Sequence, residues 1–273
     1  MTIDHISYSQ YNSYVTCPRS WYLSKIKKAE EKQTWYMPIG TAVHRMIEDE
    51  IGGGVVMHAE DYFYPLISAQ MQIEPDLSKW MAGGSVNAPV TEGLALQQVK
   101  DCFSRALEYL DEIDVWEVEY DASGRLPGLS VPVKAYPDII GEHKKHGPVI
   151  PDWKTGSQKP KDNFQLETYA ALLRSAGYPN GSQMTTESFK GLWLMLKPGA
   201  SKARPIDLSG VDPLEVGKKY QKVYDQMQRK LYPTRHAGYK CKFCFNQDNC
   251  LLQAGPTERA KYYDRAYEDG VPF

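Results

Sequence analysis

Ala135-Tyr136-Pro137-Asp138-Ile139-Ile140-Gly141 and, after a short basic turn, Pro148-Val149-Ile150-Pro151-Asp152-Trp153-Lys154 are the segments whose reading decides the fold. Apolar runs on both sides of the turn residues His143 to Gly147 predict two neighbouring strands of a hairpin. Asp138 falls near the end of one strand, and Asp152 and Lys154 fall on the next. Successive side chains of a strand alternate between faces, so Asp152 and Lys154 project together while Trp153 points away. Two carboxylates and one ammonium then share one small volume.

Crowded carboxylates repel, and a hard divalent cation relieves the repulsion; Mg²⁺ takes one or two carboxylates and keeps several waters. A lysine beside such a metal orients a water or stabilises a pentavalent phosphate, which suits phosphodiester hydrolysis. Taken alone, D-x-K reads better as an exposed strand-end ion pair of little energetic weight.

Three further patterns accompany it. Pro137-Asp138 followed by Asp152-x-Lys154 resembles the signature of the PD-(D/E)XK nuclease superfamily. Downstream, Gln165-Leu166-Glu167-Thr168-Tyr169 resembles the Q-x-x-x-Y of its RecB-like branch, and upstream Gly40-Thr41-Ala42-Val43-His44 resembles that branch's G-x-x-x-H. The fold this implies is α/β, a mixed central sheet flanked by helices. The resemblance makes His44, Asp138, Asp152 and the Trp153 backbone carbonyl the ligands of Mg²⁺ or Mn²⁺. It makes Asp138, Asp152 and Lys154 the catalytic set, and Gln165 and Tyr169 the residues that hold the DNA backbone and brace the catalytic strand.

With 273 residues, 42% hydrophobic and 24% charged, the chain has the composition of an ordinary globular protein. It reads as one nuclease core, 35–232, with an N-terminal helical segment, 1–34, and a C-terminal cysteine segment, 233–273. No stretch approaches a membrane span, and Met1 to His5 lacks the basic-then-apolar order of a signal peptide, so a cytoplasmic location is expected. A net charge of −2 does not by itself mark a nucleic-acid binder. Lys25, Lys27, Lys28, Lys144, Lys145, Lys159 and Lys161 are consistent with DNA and equally with solvated faces.

Ser7 to Gln10 reads as a capping box opening a helix to about Thr16. Pro18 disfavours helical geometry at Cys17, which places that thiol at a break. Thr41 to Ile51 predicts a helix with Val43, Ile47 and Ile51 as its apolar stripe and His44 and Glu48 on an adjoining face. Glu48 is thereby an accessory candidate beside His44. Residues 62–90 carry mixed signals and read as an insertion, a lid over the substrate. Thr91 to Asp111 is an amphipathic helix that buries Cys102. Val115 to Tyr120 alternates as a half-buried strand with Glu117 and Glu119 on one face. Glu119 is the candidate for the acidic residue that RecB-like nucleases carry before the first catalytic aspartate, and an edge-strand solvent face is the competing reading. A helix from Asp162 to Gly177, a buried strand over Lys190 to Lys197 with Arg204 to Leu208 beside it, and a helix opening at Asp212-Pro213 complete the pattern.

Five cysteines in a chain expected to be cytoplasmic argue for metal or redox use over disulfides. Cys241-x2-Cys244-x5-Cys250 offers three thiolates, and Cys17 makes four if the chain ends meet. Four thiolates hold zinc or an iron-sulfur cluster, and ligand chemistry alone does not separate them. Ser9-x-x-x-Ser13-Tyr14-x-x-Cys17-Pro18-x-x-x-Tyr22, with the distant C-x2-C-x5-C, resembles the 4Fe-4S clasp of AddB-type and CRISPR-associated RecB-like nucleases and their phage relatives. Such a clasp closes a long loop and turns metal binding into folding free energy.

Together these resemblances imply a metal-dependent DNA exonuclease acting on single strands or DNA ends, with or without endonuclease activity, phage-encoded and working in the host cytoplasm. No G-x-x-x-x-G-K-[ST] occurs, so unwinding would fall to a helicase or recombination partner. A non-catalytic DNA-end-binding module with the same fold and cluster, and a nuclease that trims DNA in CRISPR adaptation, are the competing readings.

Overall fold

The structure is a computed structural model that describes residues 3–82, 88–178, 188–200, 204–233, 241 and 244–250. In chain order its elements are β1 (Ile6–Ser7), α1 (Tyr8–Thr16), α2 (Pro18–Tyr22), α3 (Tyr36–Ile51), α4 (Ala59–Met71), α5 (Glu92–Leu110), β2 (Ile113–Val118), β3 (Val133–Lys134), β4 (Ile139–His143), β5 (Gly147–Lys154), α6 (Phe164–Ala176), β6 (Lys190–Met195), β7 (Ile206–Asp207) and α7 (Pro213–Gln228). A π-helical turn, Leu23–Lys27, follows α2, and a 3-10 turn, Leu77–Lys79, follows α4. The chain forms two compact units, one of residues 33–124 and 135–213, the other of 1–32, 125–134 and 214–273 as far as they are described.

The larger unit is built on a five-stranded sheet in the order β2-β4-β5-β6-β7. The predicted hairpin is present: β4 and β5 pair antiparallel, with Gly141 opposite Val149. β5 and β6 are parallel over six pairs, from Val149–Lys190 to Lys154–Met195, with α6 as the crossover. The other pairs are antiparallel, so the sheet is mixed, as the sequence pattern implied. One face buries Val149, Trp153, Leu192 and Leu194 against residues of α3, α4 and α5. Against the other face lies α6, where a Cβ added to Gly191 would stand 2.7 Å from Leu166 Cδ1; only glycine permits so close an approach. Leu166, Ala170 and Leu173 are buried on that helix.

Three details depart from the sequence pattern. Helix α3 begins at Tyr36 rather than Thr41, because Pro38 sits within its first turn, where a missing N–H costs nothing. Strand β2 carries a register irregularity between Val115 and Glu117 and ends at Val118. Glu119 is therefore not on a common strand face with Glu117; it turns out of the sheet with φ 46°. Tyr62, Phe63 and Ile67 of α4, and Trp80 beyond it, are buried in the core cluster. Gly83 and Gly84, in the stretch read as an insertion, lie outside the described residues.

In the smaller unit β1 and β3 pair in parallel. Ser7 caps α1 by accepting the Gln10 N–H at 3.3 Å. Trp21 and Tyr22 of α2 lie against Tyr232, the Tyr22 ring stacked on it at 4.5 Å. Cys102 is fully buried in the larger unit, and burial pushes its thiol pKa up to about 12, the behaviour of an inert core residue. Among the described residues no helix is long and apolar enough to cross a membrane.

Candidate active site

Strand β5 delivers Asp152 and Lys154 to one side of the sheet, and the turn into β4 delivers Asp138. The Asp138 Oδ2 accepts the backbone N–H of Trp153 at 2.8 Å, while Oδ1 lies 3.5 Å from His44 Nδ1. Asp152 is buried, and its Oδ2 lies against the Lys154 ammonium without the geometry of a good hydrogen bond. Lys154 Nζ also donates to Gln165 Oε1 at 3.3 Å, and Gln165 Nε2 donates to Tyr169 OH at 2.8 Å. The same ammonium sits 5.1 Å from the centre of the Trp193 ring, whose indole N–H is held by Asn163. Gln165 and Tyr169 thus brace the lysine through a chain of side-chain contacts.

On helix α3, His44 and Glu48 are one turn apart and turn toward Glu119. Ligand atoms of His44, Glu48 and Glu119 all lie within 4.8 Å of one another. Glu119 gets there because its left-handed backbone lifts it off the end of β2 while its N–H bonds the Asp138 carbonyl at 3.0 Å. A non-glycine residue at positive φ is a strained feature that clusters at functional positions.

Electrostatics show what this crowding does. Burial and then the Asp152 charge hold Asp138 well above the usual carboxylate range, opposed by the Trp153 N–H and Lys154. Burial also raises Asp152, with Lys154 opposing. Glu119 is pushed up to about 7 by burial and by the charges of Glu48 and Asp152. Burial and the Asp49 charge raise Glu48, with Arg45 opposing. His44 goes the other way: burial and the Lys154 charge bring it down to about 4, against the pull of the adjacent Trp153 carbonyl. At neutral pH His44 is a neutral imidazole, the form that binds metal. Among the described residues His44, Glu48 and Glu119 lie close enough to share one hard divalent cation such as Mg²⁺ or Mn²⁺, with the buried Asp138 and Asp152 beside them.

Beside this cluster opens a cleft of about 470 Å³ lined by Tyr36, Met37, Gly40, Thr41, His44, Arg45 and Glu48. A Cβ on Gly40 would meet only Thr155 Oγ1, at 3.6 Å, so this glycine relieves no clash and instead leaves the helix surface low at that point. Gly40 and His44 are marked by their motif, whereas Met37, Thr41 and Arg45, four apart, form a helical row beside them whose place in the cleft no motif marks.

The family profile of the PD-(D/E)XK nuclease superfamily matches residues 5–250. The chain belongs to the PD-(D/E)XK nuclease superfamily. Its members are nucleases that use divalent metals, in keeping with the donor set around Asp138. As a PD-(D/E)XK protein it is 23% identical over 278 residues to the Gene 69 protein of Mycobacterium phage D29, covering 89% of this chain and 95% of that one. The Gene 69 protein of Mycobacterium phage L5 is 22% identical over 294 residues, with the same coverage. The crystal structure of SSO0001 is similar over 87% of this chain and 94% of its own, at 13% identity and a TM-score of 0.38.

The remaining predicted residues, Cys17, Cys241, Cys244 and Cys250, are all partly buried and all belong to the smaller unit. Cys17 occupies the N-cap of α2, and Ser20, one turn on, places its hydroxyl 3.5 Å from Cys244 Sγ. Between Cys244 and Cys250, the fully buried Asn246 donates to Ser20 O and Oγ, at 3.4 Å each, and to Ser24 Oγ at 2.7 Å. Lys32 adds an ion pair to Asp248 at 3.0 Å and a backbone bond to Phe245 O at 3.0 Å. Cys17 and Cys244 are therefore carried on segments that meet at Ser20.

Proposed function

We propose that this chain is a RecB-like, metal-dependent deoxyribonuclease that removes nucleotides from single-stranded DNA or DNA ends. The observations that support the reading are His44 Nδ1 3.5 Å from Asp138 Oδ1, Asp138 hydrogen-bonded to the Trp153 N–H, and Lys154 held against Asp152 and by Gln165, beside the His44, Glu48 and Glu119 group. When bound there, Mg²⁺ or Mn²⁺ supplies a water of lowered pKa and neutralises charge on the phosphate. His44, Asp138, Asp152 and the Trp153 carbonyl would hold it, with Glu48 and Glu119 as accessory donors. Lys154 positions the attacking water and meets the negative charge that develops on the phosphate, its ammonium fixed in place by Asp152 and Gln165. The leaving group is the 3′-oxygen, which leaves a 5′-phosphate on the product.

Cys17, Cys241, Cys244 and Cys250 would hold a 4Fe-4S cluster as a structural clasp, with zinc the competing occupant. The packing of Asn246 and Cys244 on Ser20 supports a clasp that joins the two ends of the chain. Similarity to proteins of two mycobacteriophages supports a phage-encoded enzyme; a place in the host cytoplasm and a helicase or recombination partner on duplex DNA belong to the same proposal.

The test is digestion of end-labelled single-stranded and duplex DNA by anaerobically purified protein with Mg²⁺ or Mn²⁺, beside Lys154→Ala. Metal-dependent digestion that the variant lacks supports the reading, and the two labels give the polarity. Cluster-loaded protein that binds DNA and never cuts it would replace the reading with a DNA-end-binding module.

A further inference from the structure

Helix α3 presents three distinct rows. Ile39, Val43 and Ile47, with Ala42 and Met46 beside them, are buried in the core. Tyr36, Gly40, His44 and Glu48 form a half-buried row, and Met37, Thr41 and Arg45 form an exposed one. The second and third rows are the two that line the cleft. His44 and Glu48 form its end at the metal-binding cluster. From Tyr36 to Glu48 the helix rises about 18 Å, so the rest of the cleft leads away from the reacting centre along a single helix face.

The chemistry of that lining is uneven in an informative way. The reacting centre is crowded with carboxyls, and its lysine is engaged by Asp152 and Gln165. A polyanion approaching along the cleft meets Arg45, the one permanent cation among the described lining residues, one turn beyond the Thr41 hydroxyl. Further out, Met37 is 51% exposed beside Tyr36, an apolar surface in the same lining. Guanidinium and hydroxyl groups bind phosphate. Apolar and aromatic side chains bind base faces, which a single strand exposes and a duplex hides. A volume of about 470 Å³ lies in the range of a site for one small ligand, the scale of a nucleotide and not of a duplex turn.

We propose that this face of α3 is the subsite for the single-stranded DNA that flanks the scissile bond: Arg45 and Thr41 bind a neighbouring phosphate, and Met37 with Tyr36 receives the unpaired base beyond it. The assignment rests on the nuclease reading of the adjoining cluster and adds to it the residues that select the substrate. Arg45 and Thr41 act by binding and not by chemistry. The low surface at Gly40 lets the sugar-phosphate chain lie close to the helix between the two contacts.

Binding and cleavage test this separately. Anisotropy of a labelled single-stranded oligonucleotide is titrated in Ca²⁺ at several salt concentrations for the wild type, Arg45→Ala, Arg45→Lys and Met37→Ala. Arg45→Ala is expected to weaken binding about tenfold and to lower the salt slope by about 0.7, the value for one phosphate on a single strand. Arg45→Lys keeps the charge and restores most of the slope. Met37→Ala weakens binding to the single strand and leaves a blunt duplex unaffected. In Mg²⁺ or Mn²⁺, Arg45→Ala raises KM by a larger factor than it lowers kcat. Affinity and salt slope unchanged in Arg45→Ala would overturn the subsite, and so would equal losses on duplex and single strand together with an indifferent Met37→Ala. If the wild type never cuts, the nuclease reading fails, while the Ca²⁺ titrations still decide the subsite.

Discussion

The Asp138 carboxylate is hydrogen-bonded at 2.8 Å to the backbone N–H of Trp153, the residue between Asp152 and Lys154. One oxygen thus ties the approach to β4 onto the neighbouring strand, and the other faces His44. Asp138→Asn keeps an oxygen for the Trp153 N–H and removes a charge that burial disfavours. It is expected to cut metal-dependent cleavage by at least about a hundredfold, since even outer-shell changes at metal sites cost ten- to a hundredfold. The metal-free melting temperature should hold or rise. A variant that cleaves normally removes Asp138 from the reaction.

Gln165 and Tyr169 form a brace behind Lys154. Gln165→Ala frees the ammonium and is expected to lower kcat roughly tenfold with little change in KM, at a cost comparable to one charge-assisted hydrogen bond. Tyr169→Phe removes one neutral bond, about 1 kcal/mol or roughly fivefold. Steady-state kinetics on a single-stranded oligonucleotide separate this from direct DNA contact, which would move KM instead.

Stability should depend on pH in opposite senses with and without metal. Glu119, raised to about 7 from an ordinary 4.5, binds its proton more tightly when folded, so its contribution to stability falls as pH climbs between those values. His44, lowered to about 4 from 6.5, works in the reverse sense below 6.5. Above 6.5 only the carboxyl effect remains, and the metal-free protein loses stability toward pH 7 and beyond. Mg²⁺ or Mn²⁺ competes with those protons, so its stabilisation in thermal melts should be larger at pH 8 than at pH 5.5. Glu119→Gln should flatten the metal-free profile. An equal metal shift at both pH values, or a profile untouched by Glu119→Gln, would sink this account.

Asn246 anchors the cysteine-bearing turn to the N-terminal helices through Ser20 and Ser24. Asn246→Ala should loosen that contact by about 1–3 kcal/mol, the cost of stripping hydrogen bonds from buried partners. Faster amide exchange over residues 244–250 and faster loss of bound iron or zinc to a chelator would report it. Cys17→Ala should lower soluble yield and remove the brown colour of a cluster; a stable, fully coloured variant would show that Cys17 is not a ligand.

The hairpin, the helix carrying His44 and the crossover helix were legible because each has a strong period, and β-branched and aromatic residues marked the strands. Asp152 and Lys154 could be placed because period-two alternation fixes faces, while Asp138 was marked by its motif just ahead of β4. The position of Glu119 could not be read, since the irregularity at Val115/Glu117 and a left-handed backbone break the alternation on which the strand reading relied. Pro65 inside α4 obscured a helix that tertiary packing of Tyr62, Phe63 and Ile67 sustains. The hold of Gln165 on Lys154 joins a helix to a strand, and no local pattern announces it. Asn246 lay inside the cysteine motif, but its partners are more than two hundred positions away in the chain.

The alternation of Asp152, Trp153 and Lys154 on β5 also bears on how a failed molecule behaves. A slip of one residue in the pairing with β6 would swing both charges into the apolar layer against α3, α4 and α5 and the indole toward α6. The error that disables the centre is then also the one that buries two charges away from their partners. Inactive copies of this kind would be unstable ones and would not linger on DNA as silent competitors.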